Sequence, residues 1–368
     1  MKMKLFILMF IQLLYFPIIS FGEIKDKNVK VVDIEGSIGK KIPSKSLDMY
    51  FNPSVLQIET SDEYLIGDYF IAGSKNGKLA LVSNQDIFII DSNSGKIESK
   101  ISRRGNGPQE YVEISSVSLD PYKDIIYVTD MAKNRVMTYD YYGTFISELP
   151  FKSVADLRKL NDNNYVVCYF LRNAETSCFG IYDKDFKLIR NSTVKKRLVK
   201  NFMISVDVTL DSNGECCFQE YYSDTLYKVT SDADIPYLKI DLGKYEMPME
   251  YYATTSVYNK YSDDYIISQS KLIVDDFFFY KYFYDRKMYL DVWNIEKGYL
   301  ISRTTLRGNK DSYGFKISVD GVEVHCWPEY ASDGIIYCTV LPNEAEKISK
   351  DYSAENNPML IKLTMKSK

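Results

Sequence analysis

The chain holds one histidine, His325, in the strand-like run Val324-His325-Cys326-Trp327. A single imidazole rules out zinc sites built on several histidines. A Ser-His-Asp triad through His325 stays formally open, but no Gly-x-Ser-x-Gly elbow accompanies it. His325 is therefore read as structural or surface-lying rather than catalytic. Two acidic stretches, Asp91-Ser92-Asn93-Ser94-Gly95 and Asp211-Ser212-Asn213-Gly214, invite a calcium reading. Neither has the ligand alternation or distal glutamate of a calcium loop. Asp, Asn, Ser and Gly are what tight turns require. No cofactor is expected from any motif, although calcium held by carboxylates from separate strands would leave no local signature.

The strongest candidate for binding is Arg103-Arg104-Gly105-Asn106-Gly107-Pro108-Gln109-Glu110-Tyr111. Arginine grips a carboxylate or sulfate through two hydrogen bonds, and tyrosine stacks on a sugar or peptide. Arg103, Arg104, Glu110 and Tyr111 are thus the candidate ligand-binding residues. The competing reading makes the glycines a turn and one arginine an ion pair between neighbouring sheets. The aromatic run Phe277 to Tyr284 tempts a ligand-platform reading, but rings on both faces of a strand suit a packed core better.

Six cysteines, Cys168, Cys178, Cys216, Cys217, Cys326 and Cys338, contain no Cys-x-x-Cys. Zinc ribbons and thioredoxin-like redox sites are thereby excluded. Cys168/Cys178 and Cys326/Cys338 each bracket a hairpin and could meet across adjacent strands. Buried thiols are favoured over bridges, because cysteine serves cores as a small hydrophobe.

The elements that must position these residues are short strands. Ile87–Asp91, a Ser-Asn-Ser-Gly turn and the alternating Lys96–Ile101 form one unit. The unit returns at Asp124–Leu149, Tyr165–Ile189, Cys216–Ile240, Phe277–Ile301 and Gly334–Leu363. The turn residues Asp91, Asp140 and Asp183 lie 49 and 43 residues apart. Such a period with about four strands per unit predicts propeller blades. The expected fold is all-β, a six-bladed β-propeller of four-stranded antiparallel blades, with no strong amphipathic helix. Residues 23–50 form the expected closing segment. Within it Lys30–Ile34 is predicted to be the outer strand of the last blade, beside Met359–Leu363. Aromatics make up 14% of the chain, with 32 tyrosines against 2 tryptophans, which also leans toward pleated sheet.

Ahead of this lies a basic start, Met1-Lys2-Met3-Lys4, and an uncharged run from Leu5 to Phe21. Ser20-Phe21-Gly22 offers small residues for cleavage before Glu23, so residues 1–22 read as a signal peptide. One domain, 23–368, follows. No cysteine stands at the cleavage point, so a lipoprotein is not expected, nor a stable membrane span after cleavage. The protein should be periplasmic or extracellular. Losing Lys2 and Lys4 makes the net charge two units more negative than the −4 of the whole chain. With charges interspersed, nucleic acid and anionic membranes are poor partners.

Several spaced motifs carry a resemblance. Leu56-Gln57-Ile58-Glu59-Thr60 with Leu65-Ile66-Gly67 opens the repeat region. Arg104-Gly105-Asn106-Gly107-Pro108-Gln109-Glu110-Tyr111 forms the junction, with Gln109 in place of a usual glycine. Asp224-Thr225-Leu226-Tyr227 precedes Asp241-Leu242-Gly243 and Pro248, and Asn357-Pro358-Met359-Leu360 closes the chain. These resemble the bacterial 6-bladed β-propeller proteins, an exported group related to NHL-repeat propellers. The resemblance implies export and a propeller, and supplies no catalytic residues. The leading functional expectation is an exported, non-enzymatic binding module. It would recognise a carbohydrate, peptide or envelope protein through the loops joining blades. The alternative is a metal-dependent lactonase- or lyase-type propeller with a carboxylate-held ion in its channel.

Overall fold

The computed structural model describes residues 29–366 except 162, 171–176, 195–205, 211–214, 221–222, 254–259 and 308–312. The signal-peptide reading and the turn at 211–214 fall outside the described residues.

Two strands, β1 (Lys30–Asp33) and β2 (Phe51–Gln57), precede the first repeat unit. That unit is β3 (Tyr69–Lys75), β4 (Lys78–Ser83), β5 (Asp86–Asp91) and β6 (Ile97–Ile101), an antiparallel sheet in chain order. Asn76 and Gly77 both take positive φ, the hairpin geometry whose twist matches the flanking strands. Leu79 to Val82 and Ile87 to Ile90 are buried on both faces, as strands packed between neighbouring sheets must be. In β6 only Ile97 and Ile101 are buried, because this strand is outermost.

The unit recurs. The second blade is β7 (Ile114–Leu119), β8 (Ile125–Asp130), β9 (Arg135–Asp140) and β10 (Phe145–Pro150). The third is β11 (Val154–Lys159), β12 (Asn164–Tyr169), β13 (Phe179–Asp183) and β14 (Leu188–Asn191). The fourth is β15 (Val206–Leu210), β16 (Cys216–Glu220), β17 (Thr225–Val229) and β18 (Asp234–Asp241). The fifth is β19 (Ile267–Val274), β20 (Phe277–Tyr284), β21 (Lys287–Asn294) and β22 (Tyr299–Leu306). The sixth holds β23 (Phe315–Val319), β24 (Val322–Ser332), β25 (Ile335–Val340) and β26 (Met359–Met365). The innermost strands meet around a channel, β3 touching both β7 and β24. This is a six-bladed β-propeller. The Phe277–Tyr284 run is core: Phe277 to Tyr280 and Tyr282 are all buried.

Ring closure corrects one expectation. Lys30–Asp33 does not join the last blade. β1 lies parallel to β18 on the edge of the fourth blade, from Lys30 opposite Leu238 to Asp33 opposite Asp241. The last blade is closed instead by β2, antiparallel to β26 from Phe51–Met365 to Gln57–Met359. Pro53 gives a physical reason, since a residue without an N–H belongs on an edge strand. β2 also drives Phe51 and Leu56 into the core, whereas β1 has only Val32 fully buried.

Between them the chain straps the fifth blade and reaches β23 of the sixth. Arg303 donates to the Ser37 carbonyl at 2.8 Å, Lys45 N–H donates to Ser302 Oγ at 2.8 Å, and Leu47 N–H donates to the Lys316 carbonyl at 3.0 Å. Arg303 also grips Asp291 through two hydrogen bonds of 2.7 and 2.6 Å, and both side chains are buried. The Tyr282 hydroxyl completes the cluster, 3.0 Å from each partner.

Two further features differ from or refine the sequence reading. A short helix, α1 (Pro342–Ile348), follows β25, with Pro342 in its first turn, where a missing N–H costs nothing. All six cysteines are buried as thiols. Cys326 lies opposite Val340 and Cys338 opposite Pro328, so that hairpin pair is offset in register. Burial, with Cys326 beside it, pushes the Cys338 thiol well up.

A buried carboxylate ties the third blade to the fourth. Asp234 accepts from Arg190 Nη2 at 2.7 Å, from Thr193 N–H at 2.7 Å and from Thr193 Oγ1 at 3.0 Å. Burial alone would raise its pKa, but Arg190 and the Thr193 donors hold it below the usual carboxylate range. A depressed folded pKa gives stability that is present above the unfolded value and lost as pH falls through the folded one. Asp234→Asn should therefore lower the urea midpoint near neutrality. It should also flatten the fall in midpoint that the parent shows below about pH 5. Parallel urea titrations at neutral and acid pH check this; equal slopes in both proteins would contradict it.

Candidate ligand cleft on the junction face

The Arg103–Tyr111 segment links β6, the outer strand of the first blade, to β7, the inner strand of the second. Tyr111 is fully buried. Its hydroxyl lies 2.8 Å from the Gln85 carbonyl and accepts from Arg103 N–H at 3.2 Å. Burial pushes this phenol up to about 12. The ring meets Tyr139 edge-on at 6.3 Å. Tyr111 thus anchors the turn from inside and presents no surface for stacking. Lys133 Nζ donates to the carbonyls of Gly105, Gly107 and Glu110, and Arg135 Nη2 to that of Glu110 at 2.7 Å. The half-buried Glu110 carboxylate accepts from Gly107 N–H at 2.8 Å. A Cβ on Gly105 would lie 2.0 Å from Glu110 Oε2, so a larger residue there would displace that carboxylate from its bond to Gly107. Arg103 and Arg104 remain exposed. Arg103 Nε reaches the Gly143 carbonyl of the second blade at 3.2 Å. The Arg104 guanidinium has no partner among the described residues.

The same face carries a cleft of about 650 Å³ between the last and first blades. Its origin is local. In the first blade the second and third strands are joined by Asn84 and Gln85 alone, whereas in the last the chain leaves at Leu341 and returns only at Met359. That excursion, with Leu341, Pro342, Tyr352 and Asn356, lines one side. The entry to β3, Ile66 to Ile71, lines the other. Buried Asn357 clamps the two sides together. It accepts from Ile66 N–H at 2.8 Å and donates to the Glu59 and Tyr64 carbonyls, each at 2.6 Å. The opening and closing motifs of the family resemblance therefore meet at this clamp.

Glu329 enters the cleft from β24. The β24–β25 register shifts between Pro328 and Tyr330, so Glu329 is the extra residue of a bulge. A bulge takes its side chain out of the strict alternation that packs a blade. Similar shifts place Ala72 on β3, Ser115 on β7, Ala155 on β11 and Gln269 on β19. Of these bulged residues only Glu329 is ionisable. Nearby, Arg158 crosses the channel from the third blade and donates to the Ala72 carbonyl at 3.1 Å.

Among the described residues the cleft is lined by the acids Asp68 and Glu329, the aromatics Tyr69, Phe70 and Tyr352, and no lysine or arginine. Glu329 keeps access to solvent, yet the surrounding walls push its carboxyl up. The Lys281 ammonium and the Thr339 hydroxyl pull it back down. Lys281 itself lies outside the lining and donates to the Tyr313 hydroxyl at 2.9 Å. Burial pushes the Tyr69 phenol far up, and Glu329 adds to this. A smaller recess of about 220 Å³ adjoins the cleft, sharing Tyr352 and Asn356 and adding Glu59 and Asp351.

Sequence reasoning overlooked Glu329. The available signal was Pro328-Glu329-Tyr330 inside a strand-like run, since proline within a sheet marks an edge or a bulge. His325 lies away from the cleft lining; its backbone N–H donates to buried Glu344 of α1 at 2.9 Å. The Asp91 turn is explained by its own hydrogen bonds: the carboxylate accepts from Ser94 N–H at 2.8 Å and Asn93 N–H at 3.1 Å. Among the described residues no three His, Cys, Asp or Glu side chains gather as metal ligands would.

Six meander blades, closed by a strand from the N-terminal side, define a bacterial-type six-bladed propeller. The chain belongs to the family described as a domain of unknown function, DUF4934, which it matches over residues 29–368. No curated protein matches it significantly. Its fold is similar to that of a Bacteroides fragilis protein predicted to be exported. The TM-score is 0.67 at 16% identity, covering 92% of this chain and 100% of that one. It is also similar to a Bacteroides vulgatus member of the DUF4221 family. There the TM-score is 0.53 at 13% identity, covering 89% and 98% of the two chains.

Proposed function

We propose that this propeller is an exported binding module that takes its ligand in the cleft between the last and first blades. The observation that carries this reading is Glu329, bulged out of β24 into a ligand-sized concavity. Small-molecule sites typically enclose about 300–1,000 Å³, mostly apolar with a few polar groups. The cleft's volume falls in that range, and its lining is divided about evenly between polar and apolar surface. A rigid ring holding variable loops gives such a site fixed geometry without chemistry of its own. Exposed Arg103 and Arg104 serve as further contacts on the same face for a larger carbohydrate, peptide or envelope protein. Export is supported by the basic start and uncharged run at the N-terminus and by the likeness to the Bacteroides fragilis protein.

The test is calorimetric binding of carbohydrate oligomers and short peptides to the parent, Phe70→Ala and Arg104→Ala. Phe70 is a large exposed side chain in the lining, 47% accessible, so its removal should spare folding. Losing an aromatic contact should weaken binding about tenfold. Arg104→Ala should weaken only the larger ligands. Ligands that bind all three proteins equally would place recognition elsewhere.

A further inference from the structure

We infer that the cleft selects a ligand bearing a positive charge, an ammonium or guanidinium group on an apolar or sugar-like body. This rests on the reading above that the cleft is the binding site. The chain carries 46 basic and 50 acidic residues, so a random patch would contain both signs. Among the described residues the cleft lining contains Asp68 and Glu329 and no base, and the adjoining recess contains Glu59 and Asp351 and again no base. An anionic ligand would meet repulsion from every charged group lining both concavities.

The remaining lining suits a cation equally well. Tyr69, Phe70 and Tyr352 line it, and the faces of aromatic rings attract ammonium and guanidinium groups through their quadrupoles. A carboxylate among such rings gives a cation both a charge-assisted hydrogen bond and a place for its apolar stem. Glu329 is placed for this by its bulge, since the equivalent bulged residues of four other blades are alanine, serine or glutamine. The nearest basic group acting on Glu329, Lys281, is engaged with the Tyr313 hydroxyl and stands outside the lining. The cation therefore has to come with the ligand. Its source is either a basic peptide side chain or the amine of a sugar.

The experiment compares four probes by calorimetry on the full chain. They are an N-terminally acetylated, lysine-containing tripeptide, the same peptide acetylated also on the lysine, a glucosamine trisaccharide and its N-acetylated form. At least one amine probe should bind the parent, and its acetylated partner should bind about tenfold more weakly or worse. Whether the peptide or the sugar amine binds identifies the source of the charge. Glu329→Gln, isosteric at a solvent-accessible position, should leave the unfolding midpoint unchanged, reduce amine binding about tenfold and leave acetylated probes unaffected. Acetylated probes that bind as tightly as amines, with Phe70→Ala weakening both, would overturn the charge inference and leave the cleft reading standing. Amine binding that is indifferent to both Glu329→Gln and Phe70→Ala would overturn both readings. Failure of both amine probes to bind would overturn the charge inference.

Discussion

Arg303→Met should be among the most damaging single substitutions in the chain, lowering stability by about 3–5 kcal/mol. The reason is what it leaves behind. Asp291 has no solvent access, and Arg303 supplies two of its hydrogen bonds. Methionine fills much of the same volume but leaves that carboxylate uncompensated inside the fifth blade. The Ser37 carbonyl loses its 2.8 Å donor as well, so the strap loosens with the core. Urea denaturation of parent and variant measures the loss. The double substitution Arg303→Met with Asp291→Leu should recover most of it, because removing both charges removes the desolvation penalty with the attraction. A single variant as stable as the parent would show that the pair contributes nothing.

Removing the closing strand should do still more. A chain beginning at Ile58 lacks β2, and the edge of β26 then offers unpaired backbone groups along Met359–Met365. Phe51 and Leu56, both buried, are lost at about 2–3 kcal/mol each. An open, apolar edge of this length is a template for pairing with another chain. The expected outcome is insoluble protein or mixed oligomers on size-exclusion chromatography. A chain beginning at Ile34 lacks only β1. It should stay monodisperse with a modestly lower midpoint, because β1 covers an edge of the fourth blade without closing the ring. Equal behaviour of the two truncations would contradict the assignment of closure to β2.

Much of this architecture is legible in the sequence because each blade repeats one local pattern. The turns at Asp91, Asp140 and Asp183 announce themselves through hydrogen bonds within a few residues. Which strand seals the ring is a long-range matter. Lys30–Ile34 and Phe51–Gln57 both look like strands and both end up on sheet edges, so nothing local says which of them meets the last blade. The site divides the same way. Arg103 to Tyr111 stands out because glycines and proline punctuate it, yet its tyrosine proves to be an internal anchor. Glu329 carries no such punctuation beyond Pro328. Its access to the cleft depends on a bulge and on the distant clamp by Asn357, neither of which is a property of neighbouring residues.

Closure by β2 also sets an order of events. Gln57 bonds to the Asn357 carbonyl, a contact separated by 300 residues of chain. Synthesis delivers β2 early and β26 last, so five blades can form before the sixth has the strand that β2 must pair with. Bringing such distant segments together is entropically slow. The unfinished ring must meanwhile hold an open seam, and that seam passes through the clamp that shapes the cleft. The cleft is therefore complete only with the last strand, and a chain truncated before β26 would have neither a sealed ring nor a finished cleft.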